Sequence, residues 1–190
     1  PNGLLTWGDH TPGDIARFPL YTLFLYGIMK IYHACGIDRL ATMMYGIRAA
    51  HAALSLIPVF AVYRAAEIVT GSRKWAALGG LVVAAHFAMP FLSVRALIEM
   101  VGGFFWTWAL YYAYRYSAGS RHVRFLVVAG LISGLAWMVR FQVIFAIAAI
   151  PLALAWDYRR LRGAAAYSVS FIGMVLVAGL VDWWLLGSFF

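Results

Sequence analysis

Arg95 and Glu99 stand four residues apart at the mouth of an apolar run, SVRALIEMVGGFFWTWALYY, residues 93–112. On a helix, positions i and i+4 share a face, and Gly102 and Gly103 continue that stripe, leaving it small along its length and charged at one end. An ionised group at the centre of a membrane helix costs roughly 2.5–3.5 kcal/mol on insertion scales, less near the ends, so such groups turn toward a cavity or a partner. The plainest reading is a terminal ion pair with glycines for helix packing. Recurrence points further. Arg140 separates two short apolar runs, 125–139 and 141–156, and Asp182 closes another, 164–181. Arg17 lies in a polar N-terminal stretch with Asp9, His10 and Asp14. Guanidinium groups bind phosphate through paired, charge-assisted hydrogen bonds, and a carboxylate can act as general base on an acceptor hydroxyl.

The elements that must position these residues follow from composition. The chain is 64% hydrophobic and 12% charged over 190 residues, more apolar surface than a soluble domain of this length can bury. Apolar runs of roughly 17–25 residues read as membrane-crossing helices. Here they fall at 45–63, 75–91, 96–114, 125–139, 141–156 and 164–181, some of them short. A barrel would need alternating polar and apolar residues, whereas WAALGGLVVAAHFAMPF is apolar on all sides. The expected fold is all-α, a polytopic transmembrane bundle of about six crossing helices. Residues 1–44 form an external loop with an interfacial helix, and 45–190 form one membrane domain.

Lysine and arginine are retained on the cytoplasmic side, and they concentrate in three connections: Arg64, Arg73 and Lys74; Arg115, Arg121 and Arg124; Arg159, Arg160 and Arg162. Alternation then puts residues 91–96, Arg140 and Asp182 on the external or lumenal side, provided that 125–139 and 141–156 are two helices. The run 18–36 does not fit the alternation as a span. With Lys30, His33 and the flanking Arg17 and Asp38 it reads as an interfacial amphipathic helix; the alternative is that it spans and a later segment is re-entrant. Five of the seven acidic residues (Asp9, Asp14, Asp38, Glu99 and Asp182) fall on the external side. Such a layer suits a lipid-linked substrate whose polyprenyl tail stays in the bilayer while arginines meet its phosphate.

This distribution explains the net charge of +8 without nucleic acid. Gly130 and Gly134 make a G-x-x-x-G, read as close helix packing. His86 has no second His or Cys at metal spacing and reads as a packed, hydrogen-bonded side chain, so no metal site is expected from the motifs. Clusters such as WTWALYYAY mark interfacial belts or a surface for stacking on a sugar. The chain contains no P-loop, no dinucleotide-binding glycine motif and no nucleophile elbow. It starts at Pro1 and stops at LLGSFF, and a fragment with sequence lost on both sides is expected.

LLTWGDHTPGDIARFPLY, SVRALIE, GLAWMVRFQ and VDWWLLGSF occur in an order that resembles the family-22, GT-C glycosyltransferases, the polyprenol-linked mannosyltransferases. Thr6, Trp7, Arg17, Arg95, Glu99, Arg140, Asp182 and Gly187 fall on matching positions. The resemblance implies transfer of a sugar, mannose first, from a polyprenyl- or dolichyl-phosphate donor to a glycan or glycolipid acceptor on the external face. It implies an integral, multi-pass protein of a bacterial inner membrane or the endoplasmic reticulum, with inversion at the anomeric carbon. Arg95 and Arg140 would lie near the donor phosphate, Glu99 and Asp182 would orient those arginines or the acceptor, and Arg17 would position the loop. The family's loop carboxylate falls on Gly8, with Asp9 next to it as the substitute catalytic acid. Phe141 replaces the proline after the motif arginine, and Leu186 replaces the tyrosine before Gly187. The family's principal base would precede Pro1, which makes the fragment inactive by expectation, and a divalent metal is left open. A transporter or channel using the same four charges, Arg95, Glu99, Arg140 and Asp182, is the alternative.

Overall fold

The computed structural model describes residues 20–86, 98–157 and 160–186. Among them every regular element is helical: α1 Leu20–Ala34, α2 Leu40–Leu54, α3 Leu56–Thr70, α4 Arg73–Ala85, α5 Ile98–Arg115, α6 Arg124–Val139, α7 Ile144–Ala155 and α8 Leu161–Leu186. Two of these helical stretches are long and apolar enough to cross a membrane, Leu40–Thr70 and Leu161–Val181. The helices at Arg124–Val139 and Phe141–Ala155 are apolar but shorter.

The first long stretch differs from the expected crossing at 45–63. It begins at Leu40 and joins α2 to α3 as a rod of 31 residues, about 45 Å at 1.5 Å per residue. Nothing in LATMM or AAEIVT breaks a helix, so the rod runs on until Gly71, whose left-handed φ of 63° closes it. Its one interruption is at Ser55, three residues before Pro58. Proline has no N–H, so the ladder loses its bond to the Leu54 carbonyl. Ser55 mends the turn locally, its N–H donating to the His51 carbonyl at 2.9 Å and its hydroxyl to the Ala52 carbonyl at 2.7 Å.

The two short runs around Arg140 are separate helices, as the alternation requires. Arg140 is extended, with φ −146° and ψ 105°, and a single 3-10 turn, Phe141–Val143, leads into α7. Around this break α5, α6, α7 and α8 enclose a core that includes Leu126, Ala129, Ile147, Ile150 and Tyr167.

Small residues set how closely α6 and α8 approach. A Cβ on Gly130 would run into the Ser170 hydroxyl and the Tyr167 carbonyl, and one on Gly134 into the Met174 side chain. With Leu126 against Gly163 lower down, the contacts rise in step, so α6 and α8 lie parallel. The G-x-x-x-G is therefore a packing seam. Tyr167 spans it, its hydroxyl donating to Ser133 Oγ at 2.7 Å and lying 3.3 Å from the Ile147 carbonyl. α5 runs the opposite way: Gly102 meets Ala136 and Arg140, while Tyr112 stacks on Phe125 with ring centroids 6.2 Å apart.

These directions gather Arg115, Arg121, Arg124, Arg160 and Arg162 at one end of the bundle. Arg115 and Arg124 both lie over the Phe125 ring, at 4.4 and 5.2 Å. Trp108, Tyr111 and Tyr112 form an aromatic cluster beside it. Glu99 and Arg140 mark the opposite end.

Gly134→Leu should destabilise the protein by about 1–3 kcal/mol through overpacking of the seam, read by denaturant unfolding in detergent micelles. Gly173→Ala is the control on the same helix: nothing lies within 4 Å of its added methyl, and the midpoint should hold or rise. Tyr167→Phe should cost about 0.6 kcal/mol, the usual worth of an interhelical hydrogen bond in a membrane protein.

Candidate functional site

The end opposite the basic turns is where two of the sequence-predicted residues, Glu99 and Arg140, meet. Glu99 opens α5 and Arg140 follows α6, and the antiparallel pairing of the two helices brings them together. Arg140 NH2 lies 3.0 Å from Glu99 Oε1. The pair is unequal in exposure, the arginine side chain being 22% exposed and the glutamate 52%. The break in the chain at Arg140 frees its side chain from the helix surface, and Gly102 makes room for it. A Cβ there would sit 3.1 Å from Arg140 Cβ and 3.4 Å from the Ala136 carbonyl.

The guanidinium is not fully used. Its Nε is buried and has no hydrogen-bond partner among the described residues. Buried donors are nearly always satisfied, so this N–H calls for a partner beyond the described residues. Gly103, the next position along α5, faces open space, with nothing within 4 Å of where a Cβ would stand. Below it Trp106 also carries a buried indole N–H with no partner among the described residues.

Two residues that the sequence did not single out form a polar contact between α1 and α2. His51, on α2, is buried at 1% exposure. Its Nδ1 lies 2.8 Å from the Ile47 carbonyl and its Nε2 3.0 Å from the Tyr21 hydroxyl on α1. The Tyr21 and Phe24 rings meet the imidazole edge-on. Burial first, and the Glu99 carboxylate second, push the Tyr21 hydroxyl above the usual phenol range. No sequence pattern marks His51: it sits in an apolar helix just as His86 does. His86, expected within a crossing segment, instead caps the C-terminus of α4 and is exposed.

The remaining predicted residues are placed less fully. Asp9, Arg17 and Arg95 lie outside the described residues. Asp182 is on the last turns of α8, two turns beyond Met174. Because α8 runs parallel to α6, with Met174 beside Gly134, its backbone is level with the residues just after Arg140. Among the described residues no three His, Cys, Asp or Glu side chains stand together as a metal site.

An all-helical bundle with membrane-length apolar helices and an ionic rim at one end fits a membrane enzyme acting on a substrate anchored in lipid. Residues 20–183 match the model of the dolichyl-phosphate-mannose-protein mannosyltransferase family, and the chain belongs to that family. Membership makes it a membrane-embedded glycosyltransferase of the mannosyltransferase kind, served by a lipid-linked sugar, and lends nothing to the transporter or channel alternative. Neither a curated protein nor a solved structure matches the chain.

Because Glu99 is half exposed, its ion pair should matter little to stability. A double-mutant cycle with Glu99→Gln and Arg140→Met should give a coupling below about 1 kcal/mol, measured by thermal unfolding in detergent.

Proposed function

We propose that this protein transfers mannose from a dolichyl- or other polyprenyl-phosphate donor to a hydroxyl acceptor on a glycan or glycolipid, at the external or lumenal face. The observation that carries the reading is the Arg140 guanidinium, part-exposed at the rim and anchored to Glu99 at 3.0 Å through one nitrogen, which leaves the donors of its other terminal nitrogen outside that pair. The anchored edge holds the plane still, and the free donors meet the phosphate that links sugar to lipid. Arg95 and Arg17, on the segments flanking this rim in sequence, would add charge to the same phosphate.

In the reaction the acceptor oxygen attacks the anomeric carbon as the bond from that carbon to the phosphate oxygen breaks. The lipid phosphate leaves with the bonding electrons, its charge met by Arg140 and Arg95. The acceptor proton passes to a carboxylate, the role we assign to Asp9, while Glu99 and Asp182 orient the arginines and the acceptor. A single in-line displacement inverts the anomeric centre. The order of the four motifs supports placing the chain near the family-22 branch of GT-C enzymes. The alternation of basic connections supports about six crossings below an external unit of residues 1–44. A bacterial inner membrane or the endoplasmic reticulum would house it.

Arg140→Ala in the full-length enzyme should lower transfer from dolichyl-phosphate-mannose by about a hundredfold or more at normal expression and melting temperature, with Arg140→Lys recovering part of it. Undiminished transfer by Arg140→Ala would instead identify a structural subunit. The orientation is tested separately. Cys35, exposed between α1 and α2, should react with a membrane-impermeant maleimide from outside intact cells or from the lumenal side of vesicles. A cysteine at Ser72 in a Cys35→Ser background should react only from the cytoplasmic side.

A further inference from the structure

α3 and α4 pack as a hairpin across Gly71, and their pairing leaves a groove that opens to the surface. Glycine on α4 brings the helices close: a Cβ on Gly79 would stand 3.4 Å from Ala66 Cβ, and one on Gly80 3.4 Å from Tyr63 Cβ. Beside this contact Phe60, Tyr63 and Leu81 line a cavity of about 310 Å³, and Ala77 and Ala84 are the outermost α4 residues along it. Phe60 and Leu81 are exposed. From Ala77 to Ala84 the groove follows α4 for about 10 Å at 1.5 Å per residue, within the roughly 15 Å of one hydrocarbon leaflet.

The charge of this hairpin lies at its turn. Residues 56–85 hold three cations, Arg64, Arg73 and Lys74, and one acidic residue, Glu67. Glu67 stands between the two arginines, Oε2 lying 3.0 Å from Arg64 Nη1 and Oε1 3.6 Å from Arg73 Nε. The carboxylate is 26% exposed and the arginine side chains 55% and 89%, so it anchors both guanidinium groups from behind and leaves them open. Arg64 lies 5.8 Å from the centroid of the Tyr63 ring that lines the groove. Arg73 and Lys74 stand four and three residues before Ala77, one turn away on its side of α4. One negative charge leaves two positive ones unneutralised. They also sit in the first turn of α4, where the helix dipole opposes cations, with no acidic residue in that turn and no side-chain cap from Ser72.

An apolar groove that ends in anchored, uncompensated cations matches the two parts of an anionic phospholipid. We propose that the α3–α4 groove binds one, with an acyl chain between the helices and the phosphate on Arg64, Arg73 and Lys74. Basic pockets between membrane helices hold acidic head groups in this way, and arginine meets phosphate through paired donors. Trp75, exposed beside Lys74, suits the interfacial level at which a headgroup sits. A second protein helix would favour small residues along the whole contact, whereas Phe60, Tyr63 and Leu81 are bulky. The alternation of basic connections assigns this turn to the leaflet opposite Arg140, which makes the lipid a companion of the fold rather than the sugar carrier.

The test counts bound lipid on the full-length protein, delipidated in detergent, by native mass spectrometry with phosphatidylglycerol or phosphatidylcholine of matched chains. Phosphatidylglycerol should bind about tenfold more tightly, at one molecule per chain. Arg73→Gln with Lys74→Gln should weaken it about fivefold for each cation removed and leave phosphatidylcholine unchanged. Ala77→Phe, which fills the groove from an exposed position, should weaken it by a similar factor with every cation in place. Ala84→Phe fills the other end and serves if Ala77→Phe does not fold. Arg162→Gln, in a different basic connection, should change nothing. The proposal is overturned if the two phospholipids bind alike, or if filling the groove leaves phosphatidylglycerol binding intact, the mark of a basic surface without a chain site. Displacement by equimolar dolichyl phosphate would overturn it in favour of the carrier, and a dimer broken by Ala77→Phe in favour of a second copy. Lipid binding is read without sugar transfer, so the result is independent of the role given to Arg140.

Discussion

The close approach of α6 and α8 at Gly130 and Gly134 sets the register on which the rest depends. No methyl group fits at either position, since Ser170, the Tyr167 carbonyl and Met174 already occupy the space. In a bilayer, lipid tails are as apolar as the helices, so association rests on close packing and hydrogen bonds. Glycine permits the first, and the Tyr167–Ser133 bond supplies the second. Once α6 and α8 are locked in parallel, Arg140 and the end of α8 reach one level, and the arginines that precede both helices reach the other.

A second consequence concerns Arg140. A continuous helix through 124–155 would present its side chain along a wall. The extended conformation at this residue instead ends α6, and Gly102 lets α5 pass close enough for Glu99 to reach the guanidinium. Removing an arginine from water is costly unless its donors are used. Here one nitrogen is paired with Glu99, and Nε has no partner among the described residues. A site that must hold and then release an anionic lipid phosphate needs a cation that is anchored without being saturated.

The N-terminal helices add a polar contact of their own. α1 doubles back along α2, with Tyr32 over Gly46, and sets the Tyr21 hydroxyl 3.0 Å from Nε2 of the buried His51. Its other nitrogen meets the Ile47 carbonyl at 2.8 Å, so a histidine buried in an apolar helix has both ring nitrogens partnered.

Much of this was legible in the residues alone. The excess of apolar side chains dictated a helical membrane protein, because only helices or closed barrels satisfy the backbone in lipid and no alternation for a barrel is present. The i, i+4 spacing of Arg95 and Glu99, the interruption at Arg140 and the basic connections placed a charged layer at one end, since helical period and charge bias are local properties. The pairing of Glu99 with Arg140 was not legible: it depends on antiparallel contact between helices that bring together residues 41 positions apart in the chain. The extension of α2 and α3 into one rod past Tyr45 and Tyr63 was missed because apolar runs mark where lipid begins and ends, whereas a helix continues until a residue such as Gly71 stops it. Tyr21 and His51 were hidden for a related reason. A lone histidine in an apolar helix looks the same whether it is packed, capping or functional, and only the fold, by laying α1 against α2, decided which partner its free nitrogen would find.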